Sequence, residues 1–288
     1  MSSSVAYRAV LPVPRTAVTW FSFQLRAHRH RIGTRTGTRA LTCFQQAVFV
    51  LRWLVDGTRL TQLARDNDIK KTCAYDRLWE GLDVLADQSP DLSKAIAAAR
   101  AAGDEHLILD GTLIPTRSYK KEGPTKGVDL YWSGKHHRHG VNEQVLSAPD
   151  GHPLWVSDAL PGRVFDSTAA THHGLDEALR QVNTGVADEQ RLHILVDLGY
   201  LKFESIDSVV APFKKPKNAD LAIERRVFNR VHGAARALEE KANADLKVMF
   251  KCLDKVGLDP EQIGTVMKAC LVAFHRIRPR RKITERTG

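Results

Sequence analysis

The chain has 288 residues, 43% of them hydrophobic and 26% charged, with a net charge of +10. It is long enough for two domains and a sizeable core, and too apolar for a disordered chain. No apolar run reaches transmembrane length, the first residues lack the apolar block of a secretory signal, and four scattered cysteines without a CxxC pair point to reduced thiols in a cytosolic protein.

Charge is unevenly placed. Residues 1–60 carry nine arginines against the single acid Asp56, and residues 275–288 carry five arginines and Lys282 against Glu285, so the centre is mildly acidic. Basic ends around an acidic centre suit a polyanion gripped outside a site that itself holds cations; a solvated basic tail is the plainer alternative. Residues 1–40 show weak periodicity and read as a basic arm, with a helix near residues 18–28. The stretch Arg26–Arg39 is expected to grip phosphate or the minor groove.

From Leu41 to Asp56, Phe44, Val48, Leu51 and Val55 recur at helical spacing, and Gly57 closes that helix. A short helix from Leu60, a turn at Asn67–Asp68 and a second helix running toward Leu85 follow. With small Ala64 at the crossing and Ile69, Ala74 and Leu78 turned inward, this has helix-turn-helix geometry. Its second helix would present Lys70, Lys71, Thr72, Tyr75 and Arg77 to the major groove. Asp68 stands where Gly is usual, and a plain helical hairpin shares the pattern. An Ala-rich helix ending at Gly103 makes the hinge. The expected division is a basic arm (1–40), a helix-turn-helix domain (41–100), a catalytic domain (104–277) and a basic tail (278–288).

Beyond the hinge the composition shifts. His106–Leu109 is a buried-strand pattern ending at Asp110-Gly111-Thr112. Three strand-like segments follow, at 131–135, 140–148 and 153–159, then a loop at Pro161-Gly162 and a helix over 167–181. Leu192–Val196 is a second buried strand, ending at Asp197-Leu198-Gly199-Tyr200, and 209–213 reads as another. Leu221 to Leu253 reads as one long helix or a broken pair, and 260–276 as the last helix. On the long helix Arg236, Glu240, Asn243 and Lys247 share one side at spacings of four, three and four.

Two strand-end carboxylates and one helix carboxylate can converge at a sheet edge. Mg²⁺ prefers oxygen ligands and keeps positions open for phosphate oxygens. A pair of such ions can hold both the attacking and the leaving oxygen of an in-line displacement. Arg236 and Lys247 would then contact DNA phosphates, the first by a bidentate fork and the second as a point charge. Taken alone, Arg236–Glu240 is an ordinary surface pair worth about 0.3–0.5 kcal/mol, and each aspartate alone is a turn or strand exit. Five histidines (136, 137, 139, 172, 173) lack a cysteine at zinc spacing; His136 is the one most expected to matter, as a phosphate contact. No Walker loop or dinucleotide glycine motif is present.

Together, Asp110-Gly111-Thr112, Asp197-x-Gly199-Tyr200 and Arg236-x3-Glu240-x6-Lys247 resemble the DDE transposases of bacterial insertion sequences. The nearest resemblance is to the insertion-sequence-five family, of the actinobacterial kind. Tyr131–His136, Leu160-Pro161-Gly162, Pro212–Lys217, Leu258–Pro260, Gln45–Leu54, Asp56–Arg59 and the helix pair extend it over residues 41–277. The resemblance implies an α/β, RNase H-like mixed-sheet core behind an all-α helix-turn-helix domain. It also implies Asp110, Asp197 and Glu240 as catalytic residues and as ligands of two Mg²⁺ ions, with Mn²⁺ able to substitute. Glu239 is the rival third acid, and the Arg-x3-Glu-x6-Lys register selects Glu240. Arg236, Lys247, Asn243, Lys135 and His136 become supporting phosphate contacts. The implied partners are double-stranded DNA, as terminal inverted repeats and target, and further copies of the chain in a nucleoid-associated dimer or larger assembly. The sequence departs from the family at Phe165 (often His, before Asp166), at Leu198 and at Leu201-Lys202. Two other readings stay open: a transposase-derived DNA-binding protein without catalysis, and a related nuclease without strand transfer.

Overall fold

The computed structural model describes residues 10–117, 120–254 and 256–280, apart from the side chains of residues 239–243. Five helices come first: α1 (Arg15–Arg31), α2 (Cys43–Asp56), α3 (Leu60–Asp66), α4 (Lys71–Ala86) and α5 (Leu92–Ala101). Local chemistry explains their ends. Thr42 and Gln45 form a reciprocal capping box at the start of α2, and Gly57 ends it at φ 63°. Asp91 caps α5 by accepting from the Lys94 backbone N–H at 2.8 Å.

The helix expected near residues 18–28 of the N-terminal arm is present and longer, 17 residues from Arg15 to Arg31. Val18, Phe21 and Leu25 lie one or two turns apart and are buried in the core that α2 and α4 build. Two of the arm's arginines serve this packing. Arg29 donates to the Leu41 carbonyl at 3.0 Å and to Gln46, and Arg39 pairs with Glu80 at 3.4 Å. Arg26, Arg31 and Arg35 stay exposed.

The region beyond α5 adds β1 (His106–Pro115), β2 (Trp132–Ser133), β3 (Arg138–Ser147), β4 (Pro153–Val156), β5 (Leu160–Pro161), α6 (Asp166–His172), α7 (Leu175–Gln181), β6 (His193–Leu195), β7 (Val209–Val210), α8 (Ile223–Met249) and α9 (Ile263–Ile277). The sheet path is β2-β3-β1-β6-β7, with β4 and β5 also on β3. β3 runs antiparallel to β1, whereas β6 and β7 run parallel to it, so the sheet is mixed. The single helix expected over 167–181 is two, separated at Gly174, which sits at φ 66°.

Side-chain alternation gives the sheet two faces. Leu107 and Leu109 of β1 and Leu146 of β3 meet α5, α6 and α7 in one core. Ile114, Val141 and Val145 face the other way, into a core shared with α9 and with α1, α2 and α4. The helical N-terminal region and the sheet are thus joined through α9, which packs along α4.

Candidate active site

Asp110 lies in the middle of β1, not at its end as the apolar run implied, because the strand continues in register with β3 as far as Pro115. In that register Asp110 faces Val145 and Thr112 faces Glu143, so Asp110, Thr112 and Glu143 share the α8–α9 face. Asp197 follows β6 in extended conformation, and its Oδ1 accepts from the Gly199 backbone N–H at 2.8 Å. Because β6 is parallel to β1, with Leu195 beside Ile108, the chain leaves β6 toward the end of the sheet that carries Asp110.

Helix α8 crosses this face on two anchors. Arg236 Nη2 stands 3.7 Å from Asp110 Oδ1. Lys247 Nζ donates to Thr112 Oγ1 at 2.8 Å and to the Leu113 carbonyl at 3.1 Å. The amine expected to face phosphate is therefore tied to the strand. Burial draws it below its ordinary pKa, helped by Arg138 and opposed by Glu143 and Asp110. The side chains of Glu239, Glu240 and Asn243 lie outside the described residues. The helix backbone does carry residue 240 between the two anchors, one turn beyond Arg236.

The turn after β2 supplies Lys135 and His136. Lys135 Nζ pairs with Asp166 Oδ2 at 2.9 Å. Burial pulls this ammonium down, but the Asp166 hydrogen bond and the charges of Asp166, Asp110 and Asp197 outweigh it and raise its pKa. One cation thus feels three carboxylates, which brings Asp110 and Asp197 into one electrostatic neighbourhood. His136 is shifted the other way, by burial and then by Lys135, so its neutral form is favoured. It suits a hydrogen bond to phosphate rather than an ion pair.

Asp166 was legible only as a residue beside a departure from the family pattern; the structure makes it a junction. A Cβ on Gly111 would lie 2.1 Å from Asp166 Oδ1, so the glycine after Asp110 provides the space that this carboxylate fills. Asn142 Nδ2 donates to Asp166 Oδ1 at 2.7 Å, Gln144 Nε2 donates to Asn142 Oδ1 at 2.9 Å, and the Tyr200 hydroxyl donates to Gln144 Oε1. Tyr200 and Gln144 are fully buried. This relay fastens the Asp197 turn, through its own motif tyrosine, to the loop that holds Lys135. The sequence signals for it were an Asp just after a Pro-Gly loop and two amides two residues apart on a strand.

The residues expected to read DNA divide. Lys70, Lys71, Thr72 and Tyr75 are exposed at the turn into α4, where Asp68 adopts φ 49° in place of the usual glycine. Arg77 does not join them. It falls on the helix side of Ala74, Leu78 and Gly81, is buried, and its Nη1 donates to Glu80 Oε2 at 2.5 Å.

Among the described residues no three His, Cys, Asp or Glu side chains cluster as a metal site, and no helix is long and apolar enough to cross a membrane. Asp110 on β1 and Asp197 after β6 offer the hard oxygen donors that Mg²⁺ takes, so the described part of the donor set fits such an ion.

No curated protein matches the chain. Two solved structures do. "Crystal structure of the Mos1 Strand Transfer Complex" aligns over 94% of this chain and 96% of that one at 12% identity, with a TM-score of 0.22. "Mos1 transposase paired-end complex with left transposon end" aligns over 96% and 79% at 9% identity, with a TM-score of 0.21. Residues 109–274 match the family described as DDE superfamily endonuclease, a span that runs from the first aspartate through α8 into α9 and takes in more than half of the sequence. The chain belongs to the DDE superfamily endonuclease family.

Proposed function

We propose that this protein is a DNA transposase of the insertion-sequence-five kind. It binds the terminal inverted repeats of its element, cleaves DNA, and joins the freed 3′-hydroxyl to target DNA. What supports this reading is the match of residues 109–274 to the DDE superfamily endonuclease family, with Arg236 of α8 3.7 Å from Asp110 and Asp197 on the turn that follows the parallel strand β6. The strand order and directions, with β3 antiparallel to β1 and β6 and β7 parallel to it, support an RNase H-like core.

Asp110, Asp197 and Glu240 would hold two Mg²⁺ ions, or Mn²⁺ in their place. Bound there, the ions supply activation of water and neutralisation of charge on the displaced oxygen. The rest is the work of side chains. Arg236 orients Asp110 and presents further N–H donors toward a phosphate. Lys247 holds α8 against β1, fixing the register at which Glu240 and Asn243 approach the sheet. Lys135 and His136 face the backbone of the bound strand, one as a cation and the other as a neutral donor. No side-chain nucleophile is needed, so no covalent protein–DNA intermediate forms.

DNA would be gripped by Lys70, Lys71, Thr72 and Tyr75 at the start of α4, used as a helix-turn-helix, with Arg26, Arg31 and Arg35 adding phosphate contacts. Joining two element ends calls for a dimer or larger assembly in the cytoplasm. The experiment is cleavage of a duplex carrying the inverted repeats that flank the coding region, with Mg²⁺ or Mn²⁺. Nicking followed by joined products is expected, and nicking without joining would leave the second reading, a nuclease of the same family. Undiminished nicking by Asp110→Asn, Asp197→Asn and Glu240→Gln would overturn the assignment.

A further inference from the structure

Helix α8 carries its polar anchors on one side. Arg236 and Lys247 reach β1 from it. Nearer the helix start the same side is fastened to the chain that leaves β7. Asn229 accepts from the Phe213 backbone N–H at 2.8 Å and donates to the Phe213 carbonyl at 2.9 Å, and His232 Nε2 donates to the Val210 carbonyl at 3.0 Å. On the opposite side stand Ile223, Val227, Val231, Ala234 and Leu238, at steps of four, four, three and four. All five are exposed, and Ile223, Val227, Val231 and Leu238 leave 66%, 56%, 65% and 42% of their surface open. A contiguous apolar row with charged residues beside it marks an interaction surface, and here it sits on a helix fixed from behind.

The spacing and the charges select the occupant. Alternating steps of three and four make the seam of a two-stranded coiled coil, in which each apolar side chain enters a gap between those of the facing helix. A second copy of the chain offers the same row, so the contact is self-complementary about a two-fold axis. By helical position Glu224 lies on one flank of the row and Arg226 and Arg230 on the other. If the two helices run parallel, the glutamate flank of each meets the arginine flank of its twin. If they run antiparallel, arginine flank meets arginine flank, which costs stability. From Ile223 to Leu238 the row is about 22 Å long. Pairing over that length covers on the order of a few hundred Å² of each chain, below the roughly 800 Å² of a standard interface, so the association is a micromolar one.

We infer that the outer side of α8 is the surface through which two copies of this chain pair, as a short parallel coiled coil built on Val227, Val231, Ala234 and Leu238. The role of the pair rests on the transposase reading: it keeps two DNA ends together while the inner side of each α8 stays free for its own strand.

The test uses the full chain without DNA. Sedimentation equilibrium at micromolar concentrations should show a monomer–dimer equilibrium. Val227→Glu and Val231→Glu should each raise its dissociation constant by at least about 10-fold, as for a charge placed at the centre of an apolar contact. Both positions are at the surface, so the circular dichroism spectra should match that of the wild type. Under mild oxidation Val227→Cys and Leu238→Cys should each cross-link to its own copy, above the background that the four native cysteines give in the wild type. A monomeric wild type, a dimer that survives both glutamate variants, or cross-links formed only when the two cysteine variants are mixed would overturn the parallel pair. These measurements decide the interface whether or not the chain cuts DNA. With the inverted-repeat duplex, Val231→Glu should nick as the wild type does and yield at least about 10-fold fewer joined products, because the second end is no longer held at high effective concentration. Undiminished joining would overturn the role given to the pair, and a wild type that dimerises without nicking would overturn the transposase reading alone.

Discussion

The two faces of β1 and β3 are made by alternate residues of the same strands, yet they have opposite characters. On one face Leu107, Leu109 and Leu146 meet α5, α6 and α7 in an apolar core. On the other, Asp110, Thr112 and Glu143 interrupt Ile114, Val141 and Val145 under α8 and α9. Glu143 is fully buried, and among the described residues neither of its carboxylate oxygens has a hydrogen-bond partner. An unsatisfied buried polar group costs about 1–3 kcal/mol. The α8–α9 face thus carries ionisable groups on the strands themselves, whereas the other face is apolar except around Gly111, where Asn142, Gln144 and Asp166 gather.

The largest test of that division is Asp110→Asn. Cleavage should fall to background, while the circular dichroism spectrum and the unfolding midpoint stay near those of the wild type; unfolding of the variant would make Asp110 structural. One residue earlier and on the opposite face, Leu109→Ala should do the reverse. It should destabilise the fold by about 2–5 kcal/mol in urea titrations, with the per-molecule cleavage rate of the folded fraction retained. A loss of rate there would show that the faces are not separable.

Gly111→Ala probes the point where the faces communicate. Its added carbon must displace the Asp166 carboxylate, loosening Lys135 and the relay to Tyr200. A fall in cleavage of about 10–100-fold is expected, as for groups that orient a metal site. Unchanged activity would leave the relay without a role in positioning the acids.

The smallest effect is one of pH. Burial, reinforced by the charge of Asp158 and opposed by Lys268 and Lys247, holds the Glu143 carboxyl well above the ordinary range. The sign follows from linkage: the folded state keeps a proton that the unfolded chain releases. The associated stability is complete below the ordinary carboxylate pKa of 4.5 and is lost as pH rises toward the raised folded value. Glu143→Gln should flatten that decline, so its advantage over the wild type in denaturant titrations grows from pH 5 to pH 8. Parallel pH profiles for the two proteins would mean that Glu143 is not protonated in the fold.

Much of this arrangement could be read along the chain. The apolar runs before Asp110 and Asp197, the spacing of Arg236, Glu240 and Lys247, and the capped helix from Thr42 to Gly57 are local patterns, set by side-chain periodicity and backbone preference. The full extent of the helix over residues 15–31, beyond the 18–28 expected, was less legible, because a helix crowded with Arg and His shows its apolar side only through Val18, Phe21 and Leu25. Arg77 was misread outward because a helical wheel does not reveal that Glu80 offers a buried partner. Lys247 was assigned to phosphate because spacing places a residue on a side of a helix but not the reach of its amine, which Thr112 captures.

By itself, then, the sequence determined which residues carry charge into an otherwise apolar core, and at what helical and strand intervals, since those follow from local geometry. Only the tertiary structure decided that Asp110 and Thr112 share a face with Glu143, that Gly111 yields its space to Asp166, and that Tyr200 fastens the Asp197 turn to Lys135. These relations join segments tens of residues apart and depend on sheet register. A slip of one residue in β1 would turn Asp110 and Thr112 to the opposite face.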